Sequence, residues 1–339
     1  MRVALVSPLH ESVPPRLYGG TERVVAYLAD ELVALGHDVT LYASGDSHTR
    51  ARLRPMSPRG LRLDPEVHDP QAHHVAMVAR VAGDANEFDV VHFHLDYVHF
   101  PVIRSAGLRA LTTEHGRLDI PDLQPLFGEF DDMALASISD AQRRPLAFAH
   151  WVGTVHHGLP PDCLAAGDGR GGYLAFLGRV SPEKGLDRAI RIARRAQMRL
   201  RIAAKIEKVD QPYYESVIRP MLEAPGIEFV GEIREAQKAD FLGNATALLF
   251  PIAWPEPFGL VQIEAMACGT PVVAFRQGSV PEVVEPGVTG AIVESEDEAV
   301  EAIAQVAALD RARIRRRFEE RFSARRMARD YVALYEALP

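Results

Sequence analysis

Glu256 and Glu264 stand eight residues apart in PEPFGLVQIEAMACGTPVVAF (255–275), separated by a Pro–Phe–Gly turn. A carboxylate a turn and more into a helix can accept hydrogen bonds from both hydroxyls of a ribose, for which an acidic residue is the usual partner. Glu256, on the loop before that helix, would reach the sugar side of the same ligand. Phe258, Gly259 and Leu260 are expected to bind the same ligand, since the amides that open the helix at Gly259 and Leu260 lack intrahelical acceptors. They carry partial positive charge, which favours an anion. Taken singly, each glutamate also reads as a solvated charge, one on a loop and one on a helix surface.

A second stretch, LGRVSPEKG (177–185), follows an apolar strand and leads into a helix. Gly178 lets the backbone turn sharply, and Arg179 and Lys184 put two cations at the strand end. Cations beside a helix start suit a phosphate or pyrophosphate, although two surface cations in such a loop are common. The two stretches together describe one ligand with a diphosphate, a sugar and a ribose. Neither G-x-G-x-x-G nor G-x-x-x-x-G-K-[ST] occurs at these strand ends, so hydride transfer to a dinucleotide and P-loop chemistry lose their main support.

Histidines form the other candidate group. His92 and His94 share one face of a strand, with His99 close by. No Asp/Glu cluster completes a metal site around them, and D-x-D occurs nowhere in the chain, so no metal is expected. His115, in TTEHG, ends a strand and faces the expected ligand cleft; a packed or solvated histidine is the competing reading.

The elements that must position these residues alternate between strand and helix, which means parallel sheets with crossover helices. RVALVSP (2–8), DVTLYAS (38–44), FDVVHFH (88–94), LRALTTEHG (108–116) and ALASIS (134–139) read as strands, and a helix runs from Thr21 to its stop at Gly36. The pattern restarts at GGYLAFLGRV (171–180). A helix over 186–196 and strands around 200–206, GIEFVGE, ATALLFPI, TPVVAF and GAIVE follow. The boundary falls near TVHHGLPPD (154–162). We therefore expect an α/β fold of two Rossmann-like domains, residues 1–157 and 158–320, with parallel sheets facing across a cleft. Residues 321–339 form a terminal helix, expected to pack back toward the first domain, whose charged face is solvated and whose stripe of Phe322, Met327, Tyr331, Leu334 and Tyr335 packs.

Composition narrows the class. A net charge of −8 and a pI near 5.9 argue against a nucleic-acid partner. Two isolated cysteines, Cys163 and Cys268, exclude a disulfide framework. No apolar run approaches the ~18–20 residues needed to span a bilayer, and the chain opens directly on a strand. A cytoplasmic enzyme or binding protein is the expectation.

On these residues the sequence resembles the retaining glycosyltransferases of family 4, with the GT-B fold. The resemblance is carried by YGGTERVVAYLADELVALGHDVTLYA, GRVSPEKG, the E-x7-E stretch PEPFGLVQIEAMACGTPVVAF and GSVPEVVEPGVTGAIVE. It covers nearly the whole chain. It implies that Gly19 and Gly20 border the cleft, that Arg179 and Lys184 bind the donor diphosphate, that Glu256 meets the donor sugar and Glu264 the ribose. His115 matches a histidine that contacts the sugar; Glu114 before it departs from the commonest family wording. The implied activity is transfer of a hexose from a nucleoside-diphosphate sugar to a hydroxyl of an unknown acceptor, with retention and without metal or other cofactor. UDP-glucose is favoured over GDP-mannose on family frequency. A nucleotide-sugar 2-epimerase-like isomerase and a catalytically silent nucleotide-sugar-binding module remain as alternatives. Oligomeric state is not legible.

Overall fold

Continuous apolar runs dictate where the sheets lie. The computed structural model describes residues 1–16 and 19–339, with the side chain of Leu63 outside that description. Tyr18, at the head of the YGGTE stretch, falls outside it. The chain divides into two units, one of Met1–Pro160 with Ala324–Pro339, the other Pro161–Ser323.

In the first unit, strands β1 (Arg2–Val6), β2 (Asp38–Ser44), β3 (Arg52–Ser57), β4 (Val90–Phe93), β5 (Ala110–Thr113), β6 (Leu135–Ser137) and β7 (Trp151–Thr154) form one parallel sheet. Its order is β3-β2-β1-β4-β5-β6-β7. Val3 to Val6 are wholly buried because β1 is covered on both faces. The helix Gly20–Ala34 ends at Leu35, with Gly36 beyond it at φ +90°.

The second unit repeats the plan with β8 (Tyr173–Arg179), β9 (Arg199–Lys205), β10 (Ile227–Gly231), β11 (Ala247–Phe250), β12 (Val272–Phe275) and β13 (Gly290–Val293). All pairs are parallel, in the order β10-β9-β8-β11-β12-β13. In each sheet the order reverses once, beside β1 and beside β8. Ligands of such sheets bind beyond the strands' carboxyl ends at that reversal.

Two edge elements, β3 and β7, were not expected from sequence. The terminal stretch also differs from the single helix expected. It is two helices, Arg311–Phe322 and Ala324–Ala337, broken at Ser323, whose backbone is extended at φ −74°, ψ 144°. Phe322 therefore leaves the expected stripe and packs against Phe258 in the second unit, while Met327, Tyr331 and Tyr335 are buried in the first. Among the described residues no helix is long and apolar enough to cross a membrane.

Candidate active site

At the reversal point of the second sheet, β8 delivers Arg179 and the turn after it delivers Lys184. Neighbouring β11 runs into the loop that carries Glu256. Close backbone approach locks the two loops together. Ala253 N–H donates to the Glu183 carbonyl at 2.8 Å, and Gly185, at φ +70°, lies where a Cβ would overlap the Pro251 carbonyl. The glycine is required on both counts. Lys184 is thereby brought onto Glu256 in a short ion pair, both side chains mostly buried. Trp254 Nε1–H donates to the same carboxylate oxygen at 2.9 Å, and the Lys184 ammonium stands 5.0 Å from the Trp254 ring.

A third loop holds Glu256 from the other side. Gly278, at φ +51°, presses on the Glu256 backbone so closely that a Cβ would overlap its N and O. Ser279 N–H donates to the Glu256 carbonyl at 3.0 Å, and Ser279 Oγ–H donates to the Phe258 carbonyl at 2.8 Å. This accounts for GSVPEVV following the E-x7-E stretch. Gly259 then caps the helix Leu260–Ala267. Phe258 is a buried packing residue.

Arg179 sits beside acids of its own. Its Nε lies 3.2 Å from Asp210 Oδ2, and its guanidinium donates to Glu183 at 3.3 Å. Asp210 comes from the loop after β9, the strand paired with β8. Glu264, 3% exposed, faces Lys238 of the helix Glu235–Gly243, whose Nζ is 2.6 Å from Glu264 Oε1. Sequence reasoning missed Asp210, Trp254 and Lys238. Lys238 left a faint signal, because it lies three and four residues before the buried Phe241 and Leu242, on the stripe that faces the core.

Gly19, Gly20 and His115 belong to the first unit, and the remaining expected residues to the second. Gly19 precedes the helix Gly20–Ala34, and a Cβ on it would come within 3.0 Å of Glu22 Oε2. Burial raises the Glu22 carboxyl above its usual range. Pleat alternation divides the side chains at the ends of β4 and β5 between the two faces of the sheet. His92, His94, Thr113 and His115 occupy one face. His92 Nδ1 is 2.8 Å from Tyr335 Oη and its Nε2 is 2.7 Å from Thr113 Oγ1. His94 Nδ1 is 2.8 Å from His115 Nε2, and His115 stacks on His157 at 5.3 Å. His99 does not join them; it stacks on Phe93 at 4.0 Å and bonds Thr112 on the other face.

Burial holds these rings neutral, pushing His115 and His99 down to about 3 and His92 and His94 well below 6.5. Burial and the nearby Asp96 carboxylate push Glu114 well above the usual carboxylate range. Among the described residues no three His, Cys, Asp or Glu side chains come together as a metal ion would need.

The family described as Glycosyltransferase Family 4 matches residues 18–158, and that described as Glycosyl transferases group 1 matches 168–324. A D-inositol 3-phosphate glycosyltransferase of Mycobacterium leprae is 29% identical over 247 residues, 68% of this chain and 51% of that protein. The chain thus spans about half the length of this curated relative. AviGT4, a glycosyltransferase involved in avilamycin A biosynthesis, superposes with a TM-score of 0.74 at 27% identity, covering 100% of this chain and 98% of its own. Anabaena HepE, in complex with UDP and glucose, superposes with a TM-score of 0.76 at 17% identity, covering all of both chains, which is a likeness of fold.

Proposed function

Because this chain belongs to the family 4 glycosyltransferases, with two parallel-sheet α/β domains of the GT-B kind, we propose that it moves a hexosyl group from a nucleoside-diphosphate sugar to an acceptor hydroxyl, with retention at the anomeric carbon. The observation that carries this reading is the convergence of Lys184, Glu256 and Trp254 beside Arg179 at the carboxyl edge of β8 and β11. UDP-glucose is the first donor to try, since the fold neighbour HepE holds UDP and glucose. No metal enters the reaction in this reading.

As the glycosidic bond breaks, negative charge builds on the diphosphate and positive charge on the sugar ring. In this reading Arg179, Lys184 and the amides at Gly259 and Leu260 stabilise the first. Both cations are paired with carboxylates, Arg179 with Asp210 and Glu183 and Lys184 with Glu256. An arriving diphosphate takes over Lys184, which releases Glu256 to orient the sugar hydroxyls. Glu264 accepts from the ribose diol. For the first unit, this reading takes His115 as the residue that meets a sugar hydroxyl and Gly19 and Gly20 as donor-binding residues. The acceptor attacks on the face from which the diphosphate departs, and the departing phosphate oxygen takes the acceptor's proton.

Thermal unfolding with UDP, GDP, ADP, NAD and their sugar conjugates tests the reading. A ligand at a hundred times its dissociation constant adds ~2.7 kcal/mol, seen as a shift of a few degrees. A shift with one nucleoside diphosphate, lost in Glu264→Ala, supports it; a shift with NAD alone, or none, overturns it. Anomeric couplings of the product then report retention, and turnover in a chelator reports metal independence. A new sugar formed from donor alone would favour the epimerase.

A further inference from the structure

Lys238 lies where a helix of this kind normally carries an apolar residue. It shares the inward stripe of Glu235–Gly243 with Phe241 and Leu242, and it is 7% exposed. A lysine is almost never buried unless it is paired. Here the pair is Glu264, with Nζ to Oε1 at 2.6 Å and side-chain exposures of 9% and 4%. Glu235 Oε2, at the mouth of the contact, is 3.0 Å from the same ammonium.

The two helices are fixed against each other by bonds independent of this pair. Thr270 Oγ1–H donates to the Leu242 carbonyl at 2.7 Å. Arg311 reaches the Gly243 carbonyl at 2.8 Å and Thr270 Oγ1 at 2.6 Å. The fold thus has other means of joining these elements. Two apolar side chains of similar volume would often be as stable as a buried ion pair. The pair does one thing those substitutes cannot: it fixes the plane and rotamer of the Glu264 carboxylate.

We propose that Lys238 is a positioning residue that acts through Glu264, holding the carboxylate in the orientation that accepts the ribose hydroxyls and thereby setting the preference for a ribonucleotide over a deoxyribonucleotide. The inference rests on the reading of Glu264 as the ribose ligand. It adds that the ribose site is built by two helices, and that its selectivity depends on a cation that does not touch the nucleotide. A hydrogen bond between charged partners is lost on removal of either one, and a mobile carboxylate binds a diol less well.

The test is calorimetric binding of UDP, GDP and ADP, each beside its 2′-deoxy form, to the wild type, Lys238→Met, Lys238→Arg and Glu264→Ala. The wild type is expected to prefer one ribonucleotide to its deoxy form by about tenfold or more. Lys238→Met is expected to remove most of that ratio by weakening the ribo form, which gives Glu264 two hydroxyls, more than the 2′-deoxy form, which gives it only the 3′-hydroxyl. Lys238→Arg keeps the cation and is expected to retain most of the ratio, so the inference is tested even where the methionine variant folds poorly.

A merely structural lysine would weaken both forms equally. Equal loss in Lys238→Met, or an unchanged ratio in it, overturns the inference; so does loss of the ratio in Lys238→Arg equal to that in Glu264→Ala. If Glu264→Ala itself leaves the ratio intact, or no nucleotide binds the wild type, the reading of Glu264 fails first. If Glu264→Ala abolishes the ratio and Lys238→Met does not, only the role of Lys238 fails.

Discussion

Nδ1 of His94 lies 2.8 Å from Nε2 of His115, and this contact, with the stack on His157, orients the residue proposed to meet the sugar. Both rings are held neutral by burial, so one of the two nitrogens carries the proton and the other accepts it. What remains on His115 is Nδ1, buried and without a hydrogen-bond partner among the described residues. His94→Phe keeps the aromatic packing on His92 and removes the nitrogen. Steady-state turnover is expected to fall by on the order of tenfold to a hundredfold, the usual cost of a slightly misplaced group. The double variant with His115→Ala should be no worse than His115→Ala alone. Additive losses would mean that the two histidines act separately.

The same burial predicts acid sensitivity. His92, His94, His99, His115 and His157 are all held below 6.5, with His99 and His115 at about 3. An unfolded chain takes up protons on these rings as pH falls through 6.5, while the folded chain does not. Stability is therefore fully present above 6.5 and is lost as pH falls from there toward the folded values. Each such group contributes a slope of about 1.4 kcal/mol per pH unit within that window. Melting temperature measured from pH 8 to pH 5 should be nearly flat at first and then drop. A constant melting temperature down to pH 5 would contradict neutral buried rings.

How much of this was legible follows from where the information sits. β1 and β2 could be read because strands covered on both faces leave continuous apolar runs. β3, RLRPMS, is an edge strand that is exposed or half-buried up to its last residue and contains a proline, and β7, WVGT, is half-buried throughout, so neither leaves such a run. Arg179, Lys184, Glu256 and Glu264 stood out because each lies in a contiguous stretch with turn residues around it. Lys238 and Asp210 did not. Lys238 is 26 residues from its partner, and only the packing of two helices brings them together. The break at Ser323 was hidden for a different reason: helical periodicity continues across it, and a single serine that can leave the helix is a weak mark in sequence.

Glu114 offers a gain in stability. Its carboxyl is 1% exposed, is pushed well above the usual range by burial and by Asp96, and its Oε1 has no hydrogen-bond partner among the described residues. A group raised in this way contributes its stability below the unfolded value near 4.5, and that contribution is lost as pH rises through the folded value. Glu114→Gln removes the ionisation and keeps the shape. The variant should melt higher at pH 8, by about 1 kcal/mol or more. The advantage should shrink at pH 5. An equal gain at both pH values would mean that ionisation is not what destabilises the wild type.

Lys184 should separate turnover from folding. In the proposed reaction its ammonium meets the departing diphosphate, and loss of one such preorganised donor costs ~3–4 kcal/mol of barrier, a factor of hundreds in rate. Lys184→Ala leaves Glu256 with the Trp254 bond at 2.9 Å, so the loop keeps an anchor and the variant should still fold cooperatively, at a lower melting temperature because the mostly buried Glu256 loses its cation. Near-normal turnover in this variant would refute its role. Trp254 also supplies a signal, since a diphosphate that draws Lys184 from its position 5.0 Å from the ring changes the indole environment. Nucleotide titration should alter fluorescence in Trp151→Phe, which retains Trp254, and should not in Trp254→Phe.

Gly278 and Gly287 together distinguish backbone strain from damage to the site. Both have positive φ, +51° and +74°. A Cβ at Gly287 meets nothing within 4 Å, so Gly287→Ala should cost only the left-handed backbone penalty, ~1–2 kcal/mol. A Cβ at Gly278 overlaps the backbone N and O of Glu256, and backbone cannot swing aside as a flexible side chain can. Gly278→Ala must therefore displace the loop that presents Glu256 and stretch the 3.0 Å bond from Ser279 to its carbonyl. It should cost more stability than Gly287→Ala and also weaken donor-sugar binding, which Gly287→Ala should leave unchanged. Calorimetric binding of UDP-glucose and of UDP to both variants makes the comparison. If Gly278→Ala weakens the sugar conjugate no more than it weakens UDP, the 276–279 loop is not what holds Glu256 to the sugar.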